Sequence, residues 1–177
     1  LFRSPSFKQL VGIAAAVGKG GLLWVADLLD AYWNIPVGTE FHGLLGAEWL
    51  GKIFIYACLP FGLATAPRIF TQFGDILLWI LHFENKDIWS YEDLLMVRHY
   101  VDDFWGGHQD YDTALKQFNA LLDLLKVLNI PTSDNKVTPP STTVIVLGFL
   151  IDTIRQIVSI APKNIKKYLT NINYLLD

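Results

Sequence analysis

Two adjacent carboxylates set between apolar runs constrain this chain more than any other feature. Tyr100-Val101-Asp102-Asp103 follows the apolar stretch 94–97 and precedes Phe104-Trp105, with Arg98 and His99 the only polar residues leading in. The pattern reads as a β-hairpin built from 95–100 and 104–106, with both acids at its tip. Such acids are commonly just solvated. Carboxylates carried on a buried hairpin, however, cost free energy unless a cation neutralises them. Magnesium fits that need, because it takes hard oxygen ligands, typically one or two carboxylates plus substrate phosphates.

A third acid stands in a similar setting. Asp27 closes the apolar run 22–28, which reads as a buried strand, and Asp30-Ala31-Tyr32 follows. An acid ending a strand beside the acidic hairpin would complete a two-metal site. Ions about 3.5–4 Å apart would there activate an attacking hydroxyl and stabilise a leaving pyrophosphate. The competing reading makes Asp27 a helix cap for 28–33. On the metal reading the three carboxylates converge on one point and titrate together.

The rest of the chain supplies a frame for them. Ser4 with Pro5 reads as a helix start and Gly18, Gly20 and Gly21 as its stop. Runs 44–49 and 53–58 flank Leu50-Gly51-Lys52 as a hairpin. After Pro60-Phe61-Gly62 a long helix covers 65–83, and the charged stretch 84–93 reads as a solvated loop. Asp110 caps an amphipathic helix in which Leu115, Phe118, Leu122 and Leu125 repeat at helical spacing, and Pro131 ends that segment. Runs 143–151 and 157–160 form another hairpin, and a helix begins at Lys163. The fold class is therefore α+β, a four-stranded antiparallel sheet of the split βαβ kind backed by two helices.

Composition adds limits. At 52% apolar the chain is rich for a soluble domain, which implies surfaces that other parts cover. With Leu1 at its start and Asp177 inside a helical pattern, it reads as a piece of a longer polyprotein. The net charge of −3 runs against a free-standing nucleic-acid binder, although a carboxylate cluster lowers that sum. Cys58 is the sole cysteine, so no intrachain disulfide forms and an intracellular compartment, cytoplasm or nucleus, fits. The apolar run 76–83 is too short to span a bilayer.

Leu59-Pro60-Phe61-Gly62-Leu63-Ala64-Thr65-Ala66-Pro67 joins a rigid proline, a permissive glycine and a helix start. Backbone in such a loop can approach a ligand. Taken in order with Asp27-x-x-Asp30-Ala31-Tyr32 and Tyr100-Val101-Asp102-Asp103, it resembles the reverse transcriptases of retrotransposons and retroviruses. Asn135-Lys136 with Pro139-Pro140, and then Leu147-Gly148-Phe149, extend the likeness, which covers about 6–167. Leu44-Leu45-Gly46, Trp49-x-Gly51, Cys58 to Gly62 and Ile151-Asp152-Thr153 lean towards DIRS-like (tyrosine-recombinase) retrotransposons, with the gypsy-like group next.

The resemblance implies a polymerase palm with part of the fingers. Fingers and junction fall in 1–26 and 41–64, palm in 27–40 and 65–145, a primer-grip hairpin in 146–162 and the start of the thumb in 163–177. It implies deoxynucleotide addition to a primer on an RNA or DNA template, with two Mg2+ ions, or Mn2+ as substitute. Asp27, Asp102 and Asp103 then match the metal ligands. Asp30, Ala31, Tyr32, Phe61, Gly62 and Lys136 match the nucleotide site. Tyr32 would be the ring that excludes a 2′-hydroxyl, and Lys136 a cation near developing charge. Leu147, Gly148 and Phe149 would hold the primer end. Leu29 departs from the family, where Lys or a small residue is usual.

Implied partners are the primed template, deoxynucleoside triphosphates, the remaining fingers, thumb and RNase H segments of a parent polyprotein, and further copies of the chain. No membrane is implied. The 177 residues alone are expected to fold yet extend primers poorly. The alternative function is a polymerase-derived binding or assembly module, while Tyr32 weighs against an RNA-dependent RNA polymerase. His42, His82, His99 and His108 form no ligand pattern, Cys58 reads as a packed strand residue, and the six tryptophans read as core or lobe interface, with base stacking left open for Trp33 and Trp105.

Overall fold

The computed structural model describes residues 7–86, 89–90, 92 and 96–176. The expected helix start at Ser4-Pro5 and the opening of the 94–97 run lie outside them. The strand Leu22–Asp27 (β1) is apolar up to Asp27 because both its faces are covered. Trp24, Ala26 and Leu28 enter one core with Phe70, Leu77 and Leu121. Leu23 and Val25 enter a second, with Leu10, Val17, Val144 and Ile151. The helix Phe7–Val17 (α1) precedes β1 and covers that second face.

Between β1 and the next helix lies a hairpin of Gly46–Trp49 (β2) and Lys52–Ile55 (β3), every residue of which is exposed. Its two turn residues, Leu50 and Gly51, both have positive φ (51° and 71°), so the loop is two residues long and Lys52 belongs to the strand. Such a turn matches the right-handed twist of the paired strands. Helix Ala66–Asn85 (α2) follows. The 84–93 stretch is not simply a solvated loop, since α2 runs into it and Trp89 is buried.

Strands Arg98–Tyr100 (β4) and Asp103–His108 (β5) form the acidic hairpin. Helix Tyr111–Val127 (α3) then begins where expected, with the Asp110 carboxylate accepting from the Thr113 amide. It ends before Pro131, because Asn129 adopts a positive φ of 55° just past its last turn. Thr138–Ser141 (β6) contains Pro139-Pro140 and was not foreseen as a strand. It lies at a sheet edge, where prolines without a donor are tolerated.

The main sheet runs β4-β5-β1-β6, and α2 and α3 back it. Within that unit the order is second, third, first, fourth, which is the split βαβ arrangement. The run 143–151 is not one strand. Thr143–Val146 (β7) and Phe149–Asp152 (β8) turn at Leu147-Gly148 and, with Ile157–Ile160 (β9), make a separate three-stranded sheet. Helix Pro162–Leu176 (α4) closes the described chain.

Two neighbouring glycines of β5, Gly106 and Gly107, let β1 pack closely against it. Gly106 stands opposite Trp24 in register, and a Cβ there would lie 2.4 Å from Trp24 Cζ2. Gly106→Val should destabilise the chain by about 1–3 kcal/mol, the usual cost of overpacking. An unchanged urea midpoint would mean that Trp24 moves aside freely.

Candidate active site

The register of the sheet brings the acids together. Asp27 and Asp103 are directly opposed at the end of β1 and β5, where like charges repel. Asp102 lies in the turn between β4 and β5, and its carbonyl accepts from the Leu28 amide at 3.0 Å. On the other side of β1, the Ser133 amide donates to the Asp27 carbonyl at 2.9 Å. The end of β1 is thus pinned to both neighbouring segments. Asp27 ends a strand and caps no helix.

The acidic turn is strained. Tyr100 pairs with Asp103, leaving a two-residue loop in which only Val101 has a positive φ, at 53°. That position favours glycine. A β-branched residue there costs about 1–3 kcal/mol and persists only when its surroundings hold it.

The electrostatics are those of crowded, partly buried acids. Burial pushes the Asp103 carboxyl up to about 7, helped by the charges of Asp27 and Asp102 and by a hydrogen bond to Asp27. Burial also raises Asp102, with Asp27 adding to it. Lys136 answers the charge in part: its Nζ donates to both Asp27 oxygens, at 3.1 and 2.9 Å. That hydrogen bond holds the Lys136 ammonium above its ordinary range.

In front of the acids is a cleft of about 280 Å³. Asp27, Asp102 and Lys136 form its charged wall, and Asp30, Ala31, Tyr32 and Phe61 line the rest. Tyr32 is braced edge-on by Phe61 and Phe70, with ring centroids 4.9 and 5.4 Å away. The turn that carries it is tied by the Asn34 amide, which donates to the carbonyls of Leu29 and Asp30 at 3.0 and 3.3 Å.

Most of the expected residues therefore meet, and some do not. Asp103 does not line the cleft but hydrogen-bonds Asp27, its partner in register. Gly62 stands next to Phe61 with φ 90°, exposed and outside the cleft lining. Leu147 and Gly148 form the β7–β8 turn, and Leu147 and Phe149 pack on the second core, away from the cleft. Trp105 is 1% exposed, so it offers no face for base stacking, whereas Trp33 is 58% exposed. Ser133 and Asn34 were not foreseen. Neither carries a sequence signal beyond being a small polar residue in a loop.

Among the described residues, no three His, Cys, Asp or Glu side chains are placed to hold a metal ion by themselves. The donor set nonetheless suits a hard divalent cation. It offers carboxylate oxygens whose mutual repulsion Lys136 relieves only in part, and substrate phosphates normally complete such a ligand sphere.

A split βαβ sheet with acids on adjoining strand ends, facing an aromatic-walled cleft, is the architecture of a polymerase palm. The chain matches the pattern "Reverse transcriptase (RNA-dependent DNA polymerase)" over residues 2–151 and belongs to that family. It is 27% identical over 175 residues to the Pro-Pol polyprotein of Simian foamy virus type 1, covering 94% of this chain and 14% of that one. Prototype Foamy Virus protease-reverse transcriptase superposes with a TM-score of 0.63 at 24% identity, covering 90% of this chain and 19% of that one. The foamy viral protease-reverse transcriptase in complex with RNA/DNA hybrid superposes with a TM-score of 0.70 at 20% identity, covering 91% and 20%. The structural likenesses establish the fold. Members of the family generally use divalent metals such as Mg2+. No helix of the described residues is long and apolar enough to cross a membrane.

Proposed function

We propose that this chain is the palm, with part of the fingers, of a DNA polymerase that copies RNA or DNA templates by adding deoxynucleotides to a primer 3′-hydroxyl. The observation that carries the reading is the single cleft in which Asp27, Asp102, Lys136 and Tyr32 face one another. Asp27 and Asp102, backed by Asp103, would hold two Mg2+ ions, for which Mn2+ can substitute. When bound, such ions activate the attacking hydroxyl and neutralise charge on the leaving pyrophosphate.

The chain's own groups do the rest. Tyr32, fixed by Phe61 and Phe70, sits as a wall where a sugar would lie. Asp30 and Ala31 present backbone at the cleft floor, and Gly62 leaves room beside Phe61. Lys136 is the cation placed to leave Asp27 for a phosphate as charge develops. We assign Leu147, Gly148 and Phe149 to the primer end, the exposed β2–β3 hairpin to the fingers and α4 to the start of the thumb. The remaining lobes of a larger protein, an RNase H segment and further copies of the chain are its proposed protein partners. We assign the chain an intracellular setting, with which a lone cysteine is compatible. The motifs around 44–62 and 151–153 support a DIRS-like lineage, with gypsy-like second.

A purely binding module is the weaker reading, because acids whose repulsion costs stability serve no binding scaffold. Primer extension on RNA and DNA templates with Mg2+ tests the proposal, using the 177 residues and any longer polypeptide that contains them. Deoxynucleotide incorporation is the expected result, and its absence from both would reject the enzyme. Tyr32→Val should raise ribonucleotide incorporation relative to deoxynucleotide by about ten- to a hundredfold, since it deletes a steric block. Unchanged sugar selectivity would remove Tyr32 from that role.

A further inference from the structure

We propose that His99 is a positioning residue for the turn that presents Asp102, tying its strained peptide to α2 through Asp75. The kinetic part of this inference rests on the polymerase reading; the structural part does not.

His99 is 4% exposed, and its ring lies nearly flat on Phe104, with centroids 5.3 Å apart and planes inclined by 24°. Nδ1 stands 3.3 Å from the Val101 carbonyl oxygen, and Nε2 stands 3.0 Å from Asp75 Oδ1. The Val101 carbonyl belongs to the peptide immediately before Asp102. The Asp102 carbonyl, in the peptide after it, is held by the Leu28 amide. With both ring nitrogens protonated, His99 donates to the Val101 carbonyl and to Asp75, so both peptides flanking Asp102 are fixed, one by β1 and one by His99. Turning the first would swing the Asp102 side chain, in a loop already strained by the positive φ of Val101.

The helix accommodates this contact at one point. Gly74 faces the ring, and a Cβ there would lie 2.4 Å from His99 Cε1 and 2.5 Å from Nδ1. Asp75, the next residue, is largely exposed, so its carboxylate reaches inward only at its hydrogen bond to His99. Phe104 on one face, Gly74 at the edge and Asp75 at Nε2 together leave Nδ1 directed at Val101.

Amide hydrogen exchange at 101–103 in this chain, with Val25 as core reference, tests the inference in the variants Asp75→Ala, His99→Leu and His99→Asn. Asn places its amide nitrogen where Nδ1 was, so it should keep the bond to Val101. Asp75→Ala and His99→Leu should speed exchange at 101–103 by about five- to tenfold, the worth of one or two such bonds, with Val25 unmoved. His99→Asn, which keeps the Val101 bond but loses Asp75, should fall between these variants and wild type. In primer extension the first two should lower kcat by roughly ten- to a hundredfold with KM for the nucleotide unchanged, and His99→Asn should recover part of it. Wild-type exchange at 101–103 in Asp75→Ala, which alters an exposed residue, would overturn the inference. So would a loss confined to KM. Should neither the wild-type chain nor a longer polypeptide containing it extend primer, the polymerase reading falls and the exchange result alone decides this one.

Discussion

Asp102→Asn is expected to lower primer extension at least about a thousandfold, because it removes charge at the point where cations must gather. Its fold should survive and even gain. The Asp102 carboxyl is held above its ordinary range by burial and by Asp27, so an uncharged isostere relieves a cost that the folded state now bears. Asp110→Ala is the useful contrast. That acid is exposed and caps α3 through the Thr113 amide and hydroxyl, which hold its carboxyl below the usual range. Its replacement should lower the melting temperature and leave extension intact. Activity lost with stability kept, against stability lost with activity kept, separates a site from a scaffold. Equal effects in the two variants would count against the site.

The second large effect is a pH dependence opposite to that of most paired carboxylates. Asp103 titrates near 3.8 when unfolded and about 7 when folded. Between those values the folded chain holds a proton that the unfolded chain has released. Stability from this group is therefore fully present below about 4 and is lost as pH rises through about 7. Allowing for partial exposure and for sharing with its neighbours, the loss is on the order of 2 kcal/mol. Urea melts in chelator from pH 4.5 to 7.5 would show it, and Asp103→Asn should flatten the curve. Mg2+ should restore stability at the alkaline end, where a cation replaces the missing proton. The Lys136–Asp27 pair does not interfere, because the raised Lys136 keeps its charge across this window. Stability that rises with pH in chelator would contradict the crowded-acid picture.

What could be read in the sequence was what is local. Asp27, Asp102 and Asp103 each end or join apolar strands, and an acid that interrupts an apolar run shows where a strand ends. The frame of β1, α2, the acidic hairpin and α3 was legible for the same reason. What escaped depends on contacts between distant segments or on turns hidden inside apolar runs. Nothing local announces that Lys136 reaches Asp27 across 109 positions. Pro139-Pro140 disguised β6, since prolines punctuate everywhere except on an edge strand. The 143–151 run concealed a turn because Leu147 takes a positive φ that leucine rarely adopts. Trp105 was left open as a stacking platform because alternation alone does not say that both faces of the sheet are covered. His99 was read as one histidine among four without pattern, because its partners lie on a helix that the chain reaches by another route.

The central claim is that these carboxylates form a two-metal centre for nucleotide addition. It is tested most directly by anomalous diffraction from crystals grown with Mn2+, primed template and a non-hydrolysable deoxynucleoside triphosphate. The account predicts two manganese peaks about 3.5–4 Å apart, liganded by Asp27 and Asp102, with Lys136 withdrawn from Asp27. Manganese bound elsewhere, or Lys136 still on Asp27 with the nucleotide in place, would contradict it.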